Sequence, residues 1–261
     1  MFADYHLHTN FSDDSKLPME ESIKHAIALG LQEVCYTEHI DYGVKTDINC
    51  DCEAYWKEIE RCRKLYETRI AIKGGMEFGI QTGTVSEFKR TFLKYPFDFI
   101  IFSCHQVDNK EFWNFCFQEG KSQKEYHERY YEEIFKVMQL YEDFSVLGHL
   151  DMIRRYDPNG KYPFDKVRDR IEDILKTVIR NGKGIEVNTS GYRYGLKDVS
   201  PSVQILKLYH ELGGEILTIG SDAHRKEDIG YRLAETKQLL KELGFHYYCT
   251  YDRMKPIFHS L

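Results

Sequence analysis

The sequence predicts an α/β fold of parallel strands joined by helical crossovers. Short apolar runs alternate with longer amphipathic ones from one end of the 261 residues to the other, the signature of strands that pair in parallel through helices. The runs Val34-Cys35-Tyr36 and Phe99-Ile100-Ile101-Phe102 are apolar on consecutive residues, as strands covered on both faces are. A closed barrel and an open doubly wound sheet both satisfy this pattern.

The first unit pairs a strand at Ala3–His8 with a helix at Pro18–Leu29, where Pro18 takes a first-turn position that needs no N–H and Gly30 supplies the stop. Glu33–Thr37 then leads to Cys52–Glu67, Ile70–Phe78 to Ser86–Lys94, and Phe97–His105 to Ser122–Tyr141. The fifth unit joins Ser145–Leu150 to Asp165–Arg180, closed by Gly182. Gly184–Asn188 precedes Pro201–Leu212, with Pro201 again at the first turn and Gly213 at the stop. Ile216–Ser221 and a helix near Tyr231–Leu243 complete the series, and Tyr247-Tyr248-Cys249 has the composition of a short edge element. No glycine-rich phosphate loop, long linker, repeat or low-complexity segment interrupts the order, so a single domain over 1–261 is expected.

Composition narrows the classes. A 42% hydrophobic fraction supplies a core and a 30% charged fraction a solvated shell. The net charge of −6 gives no electrostatic reason to expect nucleic acid as a partner. No stretch approaches the ~18 apolar residues that span a bilayer, and Met1-Phe2-Ala3-Asp4 has neither the basic nor the apolar region of a signal peptide. Seven cysteines without framework spacing fit free thiols in a reducing cytoplasm. Cys50 and Cys52 lack the second pair that a structural zinc site needs.

The reactive side chains fall at strand ends. His6 and His8 end the first expected strand and His39 follows the second in Thr37-Glu38-His39. Glu77, His105 and His149 end the third, fourth and fifth, and Asp222 and His224 follow the seventh. The carboxyl ends of parallel strands are where α/β folds build their sites. Imidazole and carboxylate together suit zinc, manganese or iron. Residues two apart on a strand face the same side, so His6 and His8 can grip one ion, and Glu77 can bridge two. The remaining histidines, His25, His127, His210, His246 and His259, lie on expected helices or the tail and read as surface or core residues.

The ordered set His6-x-His8, Thr37-Glu38-His39, Glu77, His105, Gly148-His149 and Ser221-Asp222-Ala223-His224 resembles the PHP (polymerase and histidinol phosphatase) family. The resemblance implies a distorted (β/α)7 TIM-like barrel holding three divalent metal ions. One ion would be bound by His6, His8, Glu77 and Asp222, and a second by Glu77, His105 and His149. The third would take His39, His224 and an acidic residue after the first strand, Asp14 or its neighbour Asp13.

Gly148-His149-Leu150-Asp151-Met152-Ile153-Arg154-Arg155-Tyr156 and Asn188-Thr189-Ser190-Gly191-Tyr192-Arg193 are similar to the histidinol-phosphatase branch. That resemblance implies hydrolysis of a small phosphate monoester, L-histidinol phosphate, by a metal-activated hydroxide, with Glu77, Asp222 and His224 at the catalytic centre. Arg155 (or Arg154) and Arg193 would clamp the phosphate, since guanidinium matches its oxygens bidentately. Asp41, Tyr42, Tyr192 and Tyr194 are candidates to meet the histidinol moiety, and Glu38 and Asp151 to orient ligand imidazoles. Other phosphoesters, such as nucleotides, oligonucleotides or sugar phosphates, are the competing substrates, and a non-catalytic metal-binding domain is the competing class.

Overall fold

The computed structural model describes residues 1–261. Its main sheet has seven strands: β1 (Ala3–Leu7), β2 (Glu33–Ile40), β3 (Ala71–Gly79), β4 (Phe99–Ser103), β7 (Val146–Leu147), β8 (Gly184–Asn188) and β9 (Leu217–Gly220), hydrogen-bonded in that order. Every neighbouring pair is parallel. A small antiparallel hairpin, β5 (Gln106–Val107) and β6 (Lys110–Glu111), sits between β4 and β7 in sequence. A second, β10 (Tyr247–Asp252) and β11 (Lys255–Ser260), ends the chain. Seven helices follow the seven parallel strands: α1 (Met19–Ala28), α2 (Cys52–Tyr66), α3 (Val85–Phe92), α4 (Gln123–Met138), α5 (Arg168–Arg180), α6 (Val203–Glu211) and α7 (Leu233–Glu242).

The sheet curls until its edges meet. Beyond β1 and β9, His8 N–H donates to the Ala223 carbonyl at 2.9 Å and Asp222 N–H to the His6 carbonyl at 2.8 Å, with Leu7 and Ala223 forming a parallel bridge. The open-sheet alternative is thereby set aside in favour of a distorted seven-stranded barrel.

Local chemistry explains the boundaries. Gly30, Gly182 and Gly213 stop their helices at φ +78°, +64° and +81°, a left-handed conformation that costs glycine little. The two prolines stand just ahead of their helices rather than within the first turn: Pro18 is the N-cap of α1, and Ser202, after Pro201, is the N-cap of α6. The fifth unit shows the largest departure. Only Val146 and Leu147 pair as a strand; at Gly148 the backbone comes so close to β4 that a Cβ would lie 2.4 Å from Ile101 Cγ2 and 2.6 Å from Ser103 Oγ. Its helix starts at Arg168, after a tighter turn over Phe164–Lys166.

A bulge in β1 decides what faces the barrel interior. Asp4 pairs with Val34 and Leu7 with Tyr36, so three steps on β1 match two on β2, and a bulge re-aims the side chains after it. Tyr5 stays inside, packed with Ala3, Cys35, Phe99, Ile101 and Val146. His6, the next residue, also turns inward, towards Glu77 and Glu186. Cys249 and Tyr251 of the C-terminal hairpin close this interior floor, where Tyr251 N–H donates to the Tyr5 hydroxyl at 2.7 Å. The expected edge element is thus half of a hairpin that plugs the barrel. Its opposite mouth carries the polar site.

Candidate metal centre

Glu77 is the hub. It lies on the inward face of β3 between Gly75 and Gly79, fully buried. Its Oε1 is 2.8 Å from His149 Nε2 and 3.1 Å from His105 Nε2, and it accepts from Ser103 Oγ at 2.7 Å. Its Oε2 is 3.0 Å from His39 Nδ1, 3.2 Å from His6 Nε2 and 3.5 Å from His8 Nε2. Asp222 Oδ1 is 3.6 Å from Nε2 of both His6 and His8. Asp14 Oδ2 completes the outer side, 3.2 Å from His224 Nε2 and 3.4 Å from His39 Nε2. Asp13 is turned to Lys45 instead, at 3.0 Å.

These separations fit cation binding. Ligands ~2.0–2.1 Å from a tetrahedral ion are about 3.3–3.4 Å apart, within the span of the distances just given. Buried polar atoms are nearly always paired, yet His6 Nε2, His8 Nε2, His39 Nδ1 and Glu77 Oε2 have no hydrogen-bond partner. They converge on one another, as lone pairs aimed at a shared cation do. Three triads have ligand atoms mutually within 4.8 Å: His6, His8 and Asp222; His39, Glu77 and His105; and His8, His39 and His224. His39 therefore stands between two clusters, reaching Glu77 with one nitrogen and Asp14 with the other.

Outer contacts fix which nitrogen faces inward. His6 Nδ1 lies against Glu186, His105 Nδ1 against Asp41 Oδ1 at 2.9 Å, and His224 Nδ1 against the Asp222 carbonyl at 3.1 Å. His8 Nδ1 is 3.1 Å from Ser12 Oγ. The Ser12 hydroxyl donates to Glu38 at 2.6 Å and accepts from His39 N–H at 3.1 Å, so it is an acceptor for His8 as well. With Nδ1 carrying the proton in each ring, Nε2 is left as the donor to a metal.

Charge is balanced inside the cluster. Burial works against the ionised forms of Glu77 and Asp222, but the surrounding imidazoles outweigh it and hold both carboxyls well below the ordinary range. Burial also opposes charging His105, yet Asp41 and Glu77 push it up to about 9. His8 is driven the other way, by burial and by the neighbouring imidazoles of His224 and His39. A cation must displace the protons these imidazoles attract.

Sequence reading missed two orienting carboxylates. Glu186 touches His6 and accepts from His149 N–H at 2.9 Å. Its signal was the alternation of Glu186 and Asn188 with Ile185 and Val187 in an otherwise apolar strand. Asp41, expected at the substrate, is the partner of His105 and also lines the pocket. Gly79 makes that pair possible, since a Cβ there would lie 1.7 Å from Asp41 Oδ1. Glu38 acts on His8 through Ser12, whereas Asp151 turns away to Ser200, Ser202 and Arg154.

Above the ligands opens a cleft of 290 Å³, walled by Arg155, Tyr194, Tyr156, Met152, Trp113 and Lys45. Arg155 reaches Ser190 Oγ at 2.6 Å and Asp222 Oδ2 at 3.4 Å, and its guanidinium lies 4.5 Å over the Tyr194 ring. Arg154 points away from the cleft, to the buried Asp151. Arg193, expected beside the phosphate, sits on the loop behind Asp222: it donates to the carbonyls of Ser221 at 2.9 Å and Asp222 at 2.7 Å. Those bonds support Asp222 at φ +56°, a region few non-glycine residues occupy. Tyr42 and Tyr192 are engaged elsewhere, with Thr91 and Arg232.

The PHP domain family model matches residues 4–190. The histidinol-phosphatase of Lactococcus lactis subsp. lactis is 32% identical over 256 residues, 97% of this chain and 95% of that protein. A probable histidinol-phosphatase of Clostridium acetobutylicum is 30% identical, covering 99% and 96%. The crystal structure of the Lactococcus lactis histidinol phosphate phosphatase, complexed with zinc, L-histidinol and phosphate, matches this fold with a TM-score of 0.89 at 30% identity over 98% of each chain. The chain belongs to the PHP family and, within it, to the histidinol-phosphatases.

Proposed function

We propose that the chain hydrolyses L-histidinol phosphate to L-histidinol and inorganic phosphate in histidine biosynthesis. The observation that carries this reading is the cluster of inward-facing imidazole nitrogens and carboxylates directly beneath Arg155. The full-length likeness to a phosphatase solved with zinc, L-histidinol and phosphate supports the choice of substrate.

The nine residues His6, His8, Asp14, His39, Glu77, His105, His149, Asp222 and His224 would hold three divalent ions, zinc first among zinc, iron and manganese. When bound, such ions supply Lewis acidity and a water acidic enough to lose its proton near neutral pH.

The chain's own groups bind and orient. Arg155 offers the phosphate a planar, permanently charged donor, kept in place by Ser190 and the Tyr194 ring. Its buried Nε–H has no acceptor in the protein, which suits an anion. Arg193 acts behind it, holding the backbone that presents Asp222. His224 serves as a ligand and not as the acid for the leaving alkoxide, because Nδ1 is on the Asp222 carbonyl and Nε2 faces Asp14. Asp41, Trp113, Tyr156 and Tyr194 are the side chains left to meet the histidinol portion. Free thiols at all seven cysteines accord with a cytoplasmic site of action, and no helix is long and apolar enough to cross a membrane.

The test is Glu77→Gln, with bound metal and phosphate release measured on one sample. Loss of both is expected. Full turnover with unchanged metal content would contradict the role given to Glu77.

A further inference from the structure

One buried ionic cluster lies outside the centre just described. Asp157 follows the short helical turn Met152–Tyr156 that carries both arginines, and its side chain is 2% exposed. Four groups donate to its carboxylate: the Tyr126 hydroxyl, His127 Nε2–H at 2.7 Å, Gln123 Nε2 at 3.0 Å and Asn159 N–H at 2.9 Å. Gln123, Tyr126 and His127 are spaced i, i+3, i+4, which puts them on one face of α4. From the same side, Gln118 Nε2 donates to the Tyr156 carbonyl at 2.8 Å. His127, expected as a surface or core residue, is thus a donor to a buried carboxylate.

The turn is also tied at its other end, where Asp151, the residue just before it, accepts from the Ser200 hydroxyl and from Ser202 N–H at 2.9 Å. Held at both ends, it presents Met152, Arg155 and Tyr156 to the barrel mouth, and Arg155 is the charged one among them. Resting on the reading of Arg155 as the phosphate-binding group, we infer that Asp157, gripped by the Gln123–Tyr126–His127 face of α4, is a positioning residue that aims Arg155 at the substrate phosphate.

The mechanism is geometric. Arg155 reaches Ser190 and Asp222 only while its turn is held against α4. A long side chain carries little penalty for wandering once its backbone is released, and a bidentate contact is lost with small displacements. Removing the anchor weakens phosphate binding without removing any atom that touches substrate or metal.

The experiment uses the metal-loaded full chain. The inhibition constant of inorganic phosphate, KM and kcat for L-histidinol phosphate, and metal content are measured for Asp157→Ala, Arg155→Ala and the double variant. Tyr126→Phe removes one of the four donors and serves if Asp157→Ala does not fold. Asp157→Ala is expected to weaken phosphate inhibition and raise KM by about tenfold, a typical coupling between residues linked through a backbone shift. The rise in KM should exceed the fall in kcat, and metal content should hold. Tyr126→Phe should move the same constants in the same direction by less. In the Arg155→Ala background either change should add nothing, a non-additivity that general destabilisation does not produce. An anchor effect of equal size in both backgrounds, or no effect of Asp157→Ala on the otherwise wild-type chain while Arg155→Ala is damaging, overturns the positioning role alone. An Arg155→Ala variant with normal phosphate inhibition overturns instead the assignment of Arg155 as clamp.

Discussion

Nδ1 of His6 lies against the Glu186 carboxylate, on the side of the ring opposite Glu77, whose Oε2 is 3.2 Å from Nε2. Glu186 therefore sets which nitrogen of His6 is free, and its second oxygen holds the backbone of His149. Partners of this kind typically contribute 10–100-fold to metal affinity. Glu186→Gln should weaken metal binding by roughly that factor, read by competition with a chelator of known affinity. Unchanged affinity would show that His6 is oriented without it.

Gly79 tests the parallel arrangement at His105. Its missing side chain is the space in which Asp41 meets the ring, and a methyl there would also fall 2.8 Å from His105 Nδ1. Both neighbours are buried and neither can retreat into solvent. Gly79→Ala should lower stability by about 1–3 kcal/mol, as overpacking does, and release metal from the His105 side. Thermal unfolding with and without metal checks both. A variant with native metal content would exclude the steric account.

Adjacent aspartates should behave differently. Asp14 faces His39 and His224, while Asp13 pairs with Lys45 near the surface. Asp14→Asn should reduce the number of ions bound and the rate of phosphate release. Asp13→Asn removes a pair of the kind that contributes about 0–1 kcal/mol and should leave the stoichiometry intact. Elemental analysis of the two proteins decides, and equal losses would contradict the assignment.

Much of this was legible in the sequence because strand ends are. Buried parallel strands announce themselves as consecutive apolar residues, so a histidine or acid at the end of each is visible without coordinates. What stayed hidden depended on contacts across the barrel. The β1 bulge that turns both Tyr5 and His6 inward breaks the alternation that pattern reading assumes. Glu186 sits in mid-strand, where an acid reads as an anomaly until His6, 180 residues away, is placed beside it. The hairpin at 106–111 is too short for any period to register. The position of Arg193 beyond the sixth strand is legible in the sequence, but only the fold shows that it grips the loop carrying Asp222.

The Asp157 cluster predicts an acid-sensitive fold. Burial alone would raise the Asp157 carboxyl, but Tyr126, His127 and Gln123 outweigh it and hold it below its ordinary value of 3.8. A depressed carboxyl stabilises above the unfolded value and loses that contribution as pH falls through the folded one. His127 acts in the same sense: burial keeps it below 6.5 despite Asp157, so it resists a proton that the unfolded chain accepts below that pH. Wild type should exceed Asp157→Asn in unfolding midpoint above about pH 5, and the gap should narrow as pH falls below 3.8 through the lowered value of Asp157. A gap independent of pH would contradict the linkage.

Phosphate release from L-histidinol phosphate, with bound metal quantified in the same sample, tests the central claim most directly. The account predicts rapid release that a chelator abolishes and added divalent metal restores, faster than from sugar phosphates, nucleotides or single-stranded oligonucleotides. Bound metal with negligible release, or much faster cleavage of one of those other esters, would contradict it.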